Sequence, residues 1–182
     1  YIEDMDGLPM LTYSTTPEKV GKLFCKRAFD LVAALVGMIL ISPLLTLIGL
    51  VVKISSSGPV FFRQHRIGLN GRVFLCYKFR TMVQNAEALQ EELEIKNEMS
   101  GPVFKIKNDP RVTAVGKWLR KYSLDELPQL YNVLRGDLSL VGPRPPIIDE
   151  VRRYEPWQRR RLSMRPGITG AWQVGGRSHI AE

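Results

Sequence analysis

Between Asp30 and Lys53 lie 22 consecutive residues without a charge, LVAALVGMILISPLLTLIGLVV, and nothing else in the chain constrains the fold as strongly. At ~1.5 Å per residue a straight helix of that length covers about 33 Å, enough for the hydrocarbon core of a bilayer. A signal peptide is a poor match, because the run starts well inside the chain and no small-residue cleavage site follows it. Ser42 and Pro43 sit almost at its midpoint. Pro43 has no N–H for the carbonyl of Ile39 and its ring crowds that carbonyl, so a kink is expected there, with the Ser42 hydroxyl placed to take up the freed oxygen. Lys19, Lys22, Lys26 and Arg27 precede the run, while Lys53, Arg63, Arg66, Arg72, Lys78 and Arg80 follow it. Both flanks therefore read as cytoplasmic by the positive-inside rule. A helix broken at Ser42-Pro43 that enters and leaves by one face satisfies both signals. This re-entrant hairpin, over residues 31–52, is preferred to a Pro-kinked straight span. Asp30 at the membrane boundary needs a partner, and Arg27 is the expected one.

The remainder is a foldable chain. Its 182 residues are 45% hydrophobic and 24% charged, which fits one domain with a core and excludes a disordered tail. Two cysteines, Cys25 and Cys76, make no disulfide scaffold and have no metal-ligand spacing. The net charge of +8 suits phosphates, nucleic acid or an anionic membrane lipid surface. No helix-turn-helix, RNA-binding or zinc-finger motif supports nucleic acid as a partner. The start at Tyr1 and the end at Glu182 suggest an excerpt truncated at both ends.

Residues 1–18, with Gly7, Pro9, Pro17 and a Ser/Thr cluster, read as a linker or tail, and 19–182 as the domain. Asp4 and Asp6 form a D-x-D pair that elsewhere holds a divalent ion, here a weak signal in a tail. Strands are expected at Val60–Arg63 and Val73–Tyr77 around the turn Gly68-Leu69-Asn70-Gly71. An amphipathic helix is expected over 82–98, a short helix over Thr113–Lys121, and a further helix closed by Gly136. A rigid loop, Gly142-Pro143-Arg144-Pro145-Pro146, then leads to a basic helical stretch with Arg152, Arg153, Arg159, Arg160 and Arg161 and to a strand around Ile168–Val174. The fold class is α+β: a monotopic, membrane-associated domain with a small β element among helices.

The most informative tetrapeptide is Ser123-Leu124-Asp125-Glu126. Read structurally it is a capping box, with Ser123 as N-cap and Glu126 reaching back, although Pro128 disturbs the helix that would follow. Read chemically it is a pair of carboxylates at a helix N-terminus, able to hold a hard cation such as Mg²⁺ and to act as a nucleophile. Arg120 and Arg144 flank it and are the first candidates to bind phosphate. Lys78, Arg80 and Arg165 are weaker candidates, since basic strands and loops also face lipid headgroups. His65 and His179 are isolated. Trp118, Trp157 and Trp172 suit interfacial anchors or core packing equally.

The strings KRAFD (26–30), YKFRTM (77–82), SLDELPQL (123–130), GDLSLVGPRP (136–145) and RPGITG (165–170) together resemble the bacterial sugar transferases known as monotopic phosphoglycosyl transferases. The segment EMSGPVFKIKNDPR (98–111) resembles their long-form branch, the undecaprenyl-phosphate galactose or glucose phosphotransferases. The resemblance implies a ping-pong reaction at the cytoplasmic face of a bacterial inner membrane. Asp125 attacks the β-phosphate of a UDP-sugar, UMP leaves, and undecaprenyl phosphate then accepts the phosphosugar, initiating polysaccharide synthesis. Glu126 with Asp125 holds Mg²⁺, Ser42-Pro43 breaks the re-entrant helix, and regions outside this chain supply any homodimer contacts. The sugar itself is not legible. The runner-up is a non-catalytic basic membrane-binding module, which accounts for charge and hairpin but not for the carboxylate pair. A soluble glycosyltransferase needs no membrane segment, and no G-x-G-x-x-G fingerprint is present.

Overall fold

The uncharged run is the middle of one 36-residue helix, α1 (Val20–Ser55), in the computed structural model of the chain, which describes residues 2–5, 8–11, 20–86, 89 and 109–170. The helical assignment continues through Pro43 without the expected interruption. The reason is local: Ser42 Oγ donates to the Ile39 carbonyl at 2.8 Å, the one acceptor that Pro43 cannot serve, and Thr46 Oγ1 donates to the Ser42 carbonyl at 3.0 Å. One face of α1 is buried, at Asp30, Ala34, Ile48 and Val52. The other is apolar and bare, with Phe24, Phe29, Val32, Ile39, Leu40 and Ile54 all exposed. Only 11% of the most apolar window of this helix is buried, so it is no core helix, and it is long and apolar enough to cross a membrane.

The expected Asp30–Arg27 pair is replaced by a different arrangement. Asp30 accepts from Lys26 Nζ at 3.0 Å, one helical turn earlier, and from Ser139 Oγ at 2.7 Å, with Lys26 also on Ser139. Arg27 instead donates to the carbonyls of Val133 at 2.8 Å and Leu138 at 3.3 Å. A guanidinium suits this better than an ammonium, because its planar fork reaches two carbonyls at once.

After α1, β3 (Phe61–Ile67) pairs antiparallel with β4 (Val73–Phe79) in the register Phe61↔Phe79 through Ile67↔Val73. The expected hairpin is thus present and longer than the apolar pattern indicated. Its tip is a 3₁₀ turn, Leu69–Gly71, in which Asn70 and Gly71 both take positive φ. Then come α2 (Ala114–Lys121), a 3₁₀ turn (Leu124–Glu126), α3 (Gln129–Arg135), β5 (Ser139–Val141), α4 (Ile148–Arg152), a 3₁₀ segment (Gln158–Ser163) and β6 (Gly167–Thr169), which pairs parallel with β5. Within the expected tail, β1 (Ile2–Met5) pairs antiparallel with β2 (Leu8–Leu11). The mixture is α+β. Of the helix expected over 82–98 only residues 82–86 and 89 are described, and its start is not helical: Met82 forms an antiparallel bridge with Val112 and 84–86 are a turn. Most of the 98–111 string, and Asp6, Trp172 and His179, lie outside the described residues.

Two apolar clusters join α1 to the rest. Ala34 packs with Phe74, Cys76, Val133 and Leu138, while Ile48 and Val52 pack with Phe79 and Leu119. Both ends of the uncharged run therefore rest on the same strand, β4, and on the helices behind it.

Candidate active site

The dyad is positioned by a contact between α2 and the residues just beyond β4. Thr113 caps α2, its Oγ1 accepting from the Gly116 N–H at 2.9 Å, while its own N–H donates to the Thr81 carbonyl at 3.0 Å. Gly116 presses on that same peptide, where an added Cβ would stand 2.1 Å from the Thr81 oxygen. Nothing larger than glycine allows this approach. As a result Arg120, one turn further on, donates from Nε to Thr81 Oγ1 at 2.9 Å.

The chain then reverses at Ser123, which is left-handed with φ 56° and caps nothing with its side chain. This overturns the capping-box reading. Glu126 does not reach back but pairs with Lys78 of β4 at 2.6 Å. The helix α3 begins only at Gln129, with Pro128 as its N-cap, because Pro is tolerated at a helix start and not inside. Leu124 and Leu127 pack against the second apolar cluster. Asp125 between them is buried, 8% exposed.

Burial pushes the Asp125 carboxyl above its ordinary value, Lys78 and Arg120 pull it back, and the adjacent Glu126 charge adds to the rise. Arg120 is in turn drawn below its usual value by burial, opposed by the attraction of Asp125. The dyad thus sits between an ammonium and a guanidinium. A second basic pair lies further along β3. Arg66 donates to Gln64 Oε1 at 2.6 Å and to the Pro145 carbonyl at 3.0 Å. Burial lowers its pKa, the neighbouring Arg144 lowers it further, and Glu126 lies within electrostatic range. The loop bearing Arg144 is held by Ile67 N–H on Pro146 O at 3.0 Å and Gly167 N–H on Pro143 O at 2.9 Å. In the sequence Arg66 stands only among the charges that flank the apolar run, and its alternation within F-F-R-Q-H-R is the one signal that sets it apart.

The other basic candidates are elsewhere. Arg80 is buried and donates through Nη2 to the Ser56 carbonyl at 2.7 Å and the Val52 carbonyl at 3.4 Å, so it closes the C-terminal end of α1. Arg165 lies beside Arg27, with Arg72 and Arg135, and not with the dyad. Arg159, Arg160 and Arg161 are exposed, as is His65. Trp118 and Trp157 are exposed rather than in the core.

Among the described residues no group of three or more His, Cys, Asp or Glu side chains converges. Two adjacent carboxylates nevertheless fit Mg²⁺, which takes one or two protein carboxylates and completes its shell with phosphate oxygens and water.

The model of the family described as bacterial sugar transferase matches residues 21–182. The chain belongs to that family. Among its relatives, the galactosyl transferase CpsE of Streptococcus agalactiae serotype III is 46% identical over 182 residues, covering 100% of this chain and 40% of CpsE. The exopolysaccharide production protein ExoY of Rhizobium meliloti is 46% identical, covering 91% of this chain and 77% of ExoY. The undecaprenyl-phosphate galactose phosphotransferase of Salmonella typhimurium is 47% identical, covering 89% of this chain and 35% of that protein. This sugar transferase chain therefore spans well under half the length of two of these relatives. The stretch they share contains α1, the β3–β4 hairpin and the dyad turn.

Proposed function

We propose that the chain transfers a sugar-1-phosphate from a UDP-sugar to undecaprenyl phosphate, releasing UMP, through a covalent phosphosugar on Asp125. The observation that carries this reading is the buried carboxylate of Asp125, held between Lys78 and Arg120 on a turn that has no capping role. A buried acid in that setting is costly to the fold when ionised, as expected of a residue kept for its chemistry. The names of the relatives supply the substrate class.

In the first step a carboxylate oxygen of Asp125 forms a bond to the β-phosphorus. The bond from that phosphorus to the bridging oxygen breaks, and UMP departs with the electron pair. In the second step a phosphate oxygen of the lipid attacks the same phosphorus and the Asp125 carboxylate is regenerated. The atoms balance without a further reactant. Arg120, fixed by Thr81, binds the equatorial oxygens, and Arg144 with Arg66 neutralises the rest of the diphosphate. Lys78 pulls the Asp125 carboxyl towards its ionised form while pairing with Glu126. Asp125 and Glu126 would hold Mg²⁺, which supplies charge neutralisation on the phosphates when bound. Covalent catalysis lets one site serve a soluble donor and a lipid acceptor in turn.

The bare apolar face of α1 is the membrane contact in this reading. The helix is unbroken at Pro43 and both ends of its uncharged run rest on one domain, so re-entry from the cytoplasmic face is proposed here on the basic residues that flank the run on both sides. The small product discriminates the chemistry. UMP released from a UDP-sugar by the full-length protein in nanodiscs supports phosphosugar transfer, UDP means glycosyl transfer, and neither means a membrane-binding module.

A further inference from the structure

We propose that the chain carries a second anion site, distinct from the dyad, that takes a phosphate group at the membrane boundary. A cavity of about 350 Å³ lies between the β3–β4 tip, the C-terminal end of α3 and Arg165. Its charged lining is Arg72, Arg135, Arg165 and Asp137. The single carboxylate is already engaged, 3.5 Å from Arg135 Nε and accepting from Asn132 Nδ2 at 3.1 Å. Arg165 Nε is buried and has no hydrogen-bond partner. Neither Arg72 nor Arg165 has an ion-pair partner among the described residues.

Buried guanidinium donors without acceptors are costly, and guanidinium groups gathered around one carboxylate leave an excess of positive charge. A tetrahedral phosphate oxygen set answers both, since it accepts bidentately from Arg. The cavity is not the reaction site. Lys78, Arg120, Asp125 and Glu126 do not line it, and Phe74, which does, is four residues from Lys78 along β4, about 13 Å. Its place in the fold indicates where the anion comes from. Gly136 in the cavity's lining packs against Arg27, whose Nη2 would lie 3.4 Å from a Cβ at that position, and Arg27 stands just before the uncharged run of α1, at the level of lipid headgroups if that run is in the membrane. The shared chemistry is a phosphate ester or free phosphate.

The test compares the full-length parent protein with Arg72→Gln/Arg135→Gln, two exposed positions where folding is not at risk. Native mass spectrometry from phosphatidylethanolamine/phosphatidylglycerol nanodiscs counts retained phospholipids, and melting in detergent is titrated with inorganic phosphate. A lipid headgroup site predicts one phospholipid fewer on the double variant. A free-phosphate site predicts equal lipid but a phosphate-dependent rise in melting temperature whose midpoint moves about tenfold higher in the double variant. In either case Arg120→Gln, which alters the reaction site only, keeps the parent's lipid count and retains a phosphate response. The proposal is overturned if parent and double variant match in both readouts, or if the phosphate response is lost in Arg120→Gln and kept in the double variant.

Discussion

Asp125 is raised by burial, and its neighbours only partly offset that rise. A carboxyl that titrates higher in the folded chain than in the unfolded one favours folding while protonated. That contribution is fully present below the unfolded value and is lost as pH rises through the folded one. Asp125→Asn removes the charge and keeps the shape, so it is expected to melt higher than the parent at neutral pH, by on the order of 2 °C, with the gap closing below the ordinary carboxylate range. Thermal melts across pH check this, and a variant that melts lower at neutral pH contradicts it. Arg120 allows a complementary test. Arg120→Gln leaves Thr81 its own backbone bond to Thr113 but removes the charge, and is expected to lower kcat/KM about 100-fold, ~2.7 kcal/mol, with the melting temperature nearly unchanged. A loss of stability equal to the loss of rate would make Arg120 structural instead. At this scale the sequence named Asp125, Glu126 and Arg120 by residue type. It could not show that Lys26 rather than Arg27 would meet Asp30, because both lie within helical reach of it and only the carbonyls presented by α3 decide between them.

At the scale of elements, punctuation was the legible part. Thr113, Gly136 and the Gly68–Gly71 turn each sit where a cap or reversal was expected, since each is set by a bond or a φ that few other residues supply. S-x-x-E is ambiguous because its signature is shared by any helix start, and only Pro128, at the fifth position of the helix that Ser123 would cap, marks the exception. The arginines of Y-K-F-R-T-M and R-P-G-I-T-G could not be placed, because a motif does not show which surface it faces. The Ser42–Pro43 step makes a double-mutant prediction. Ser42→Ala orphans the Ile39 carbonyl and is expected to cost about 1 kcal/mol, and Pro43→Ala restores the missing N–H, so the serine change is nearly neutral in that background. Additive melting shifts in nanodiscs would refute the coupling. Gly116→Ala is the harshest change at this scale. With Thr81 backbone 2.1 Å from the new Cβ, α2 must move, and both the melting temperature and turnover are expected to fall sharply together.

For the molecule as a whole, the long apolar helix and the candidate active site are one structure. Val52 of α1, Phe79 of β4 and Leu119 of α2 form one cluster, and Leu124 and Leu127 on either side of the dyad pack against it. The dyad is thereby held at a fixed height relative to the apolar face, as the proposed transfer to a lipid phosphate requires. If α1 re-enters, Cys25, ahead of the uncharged run, and the thiol of a Ser57→Cys variant, beyond it, both react with a membrane-impermeant thiol reagent from one side, while buried Cys76 does not. Labelling from opposite sides would mean a straight span. The most direct test of the whole account is intact-protein mass spectrometry of the full-length enzyme in nanodiscs, incubated with Mg²⁺ and a panel of UDP-sugars but no lipid acceptor. The account predicts a sugar-phosphate adduct on Asp125 that is absent in Asp125→Asn and is discharged by undecaprenyl phosphate. UMP formation on adding lipid, with no adduct from any donor, would contradict it and require direct transfer in a ternary complex.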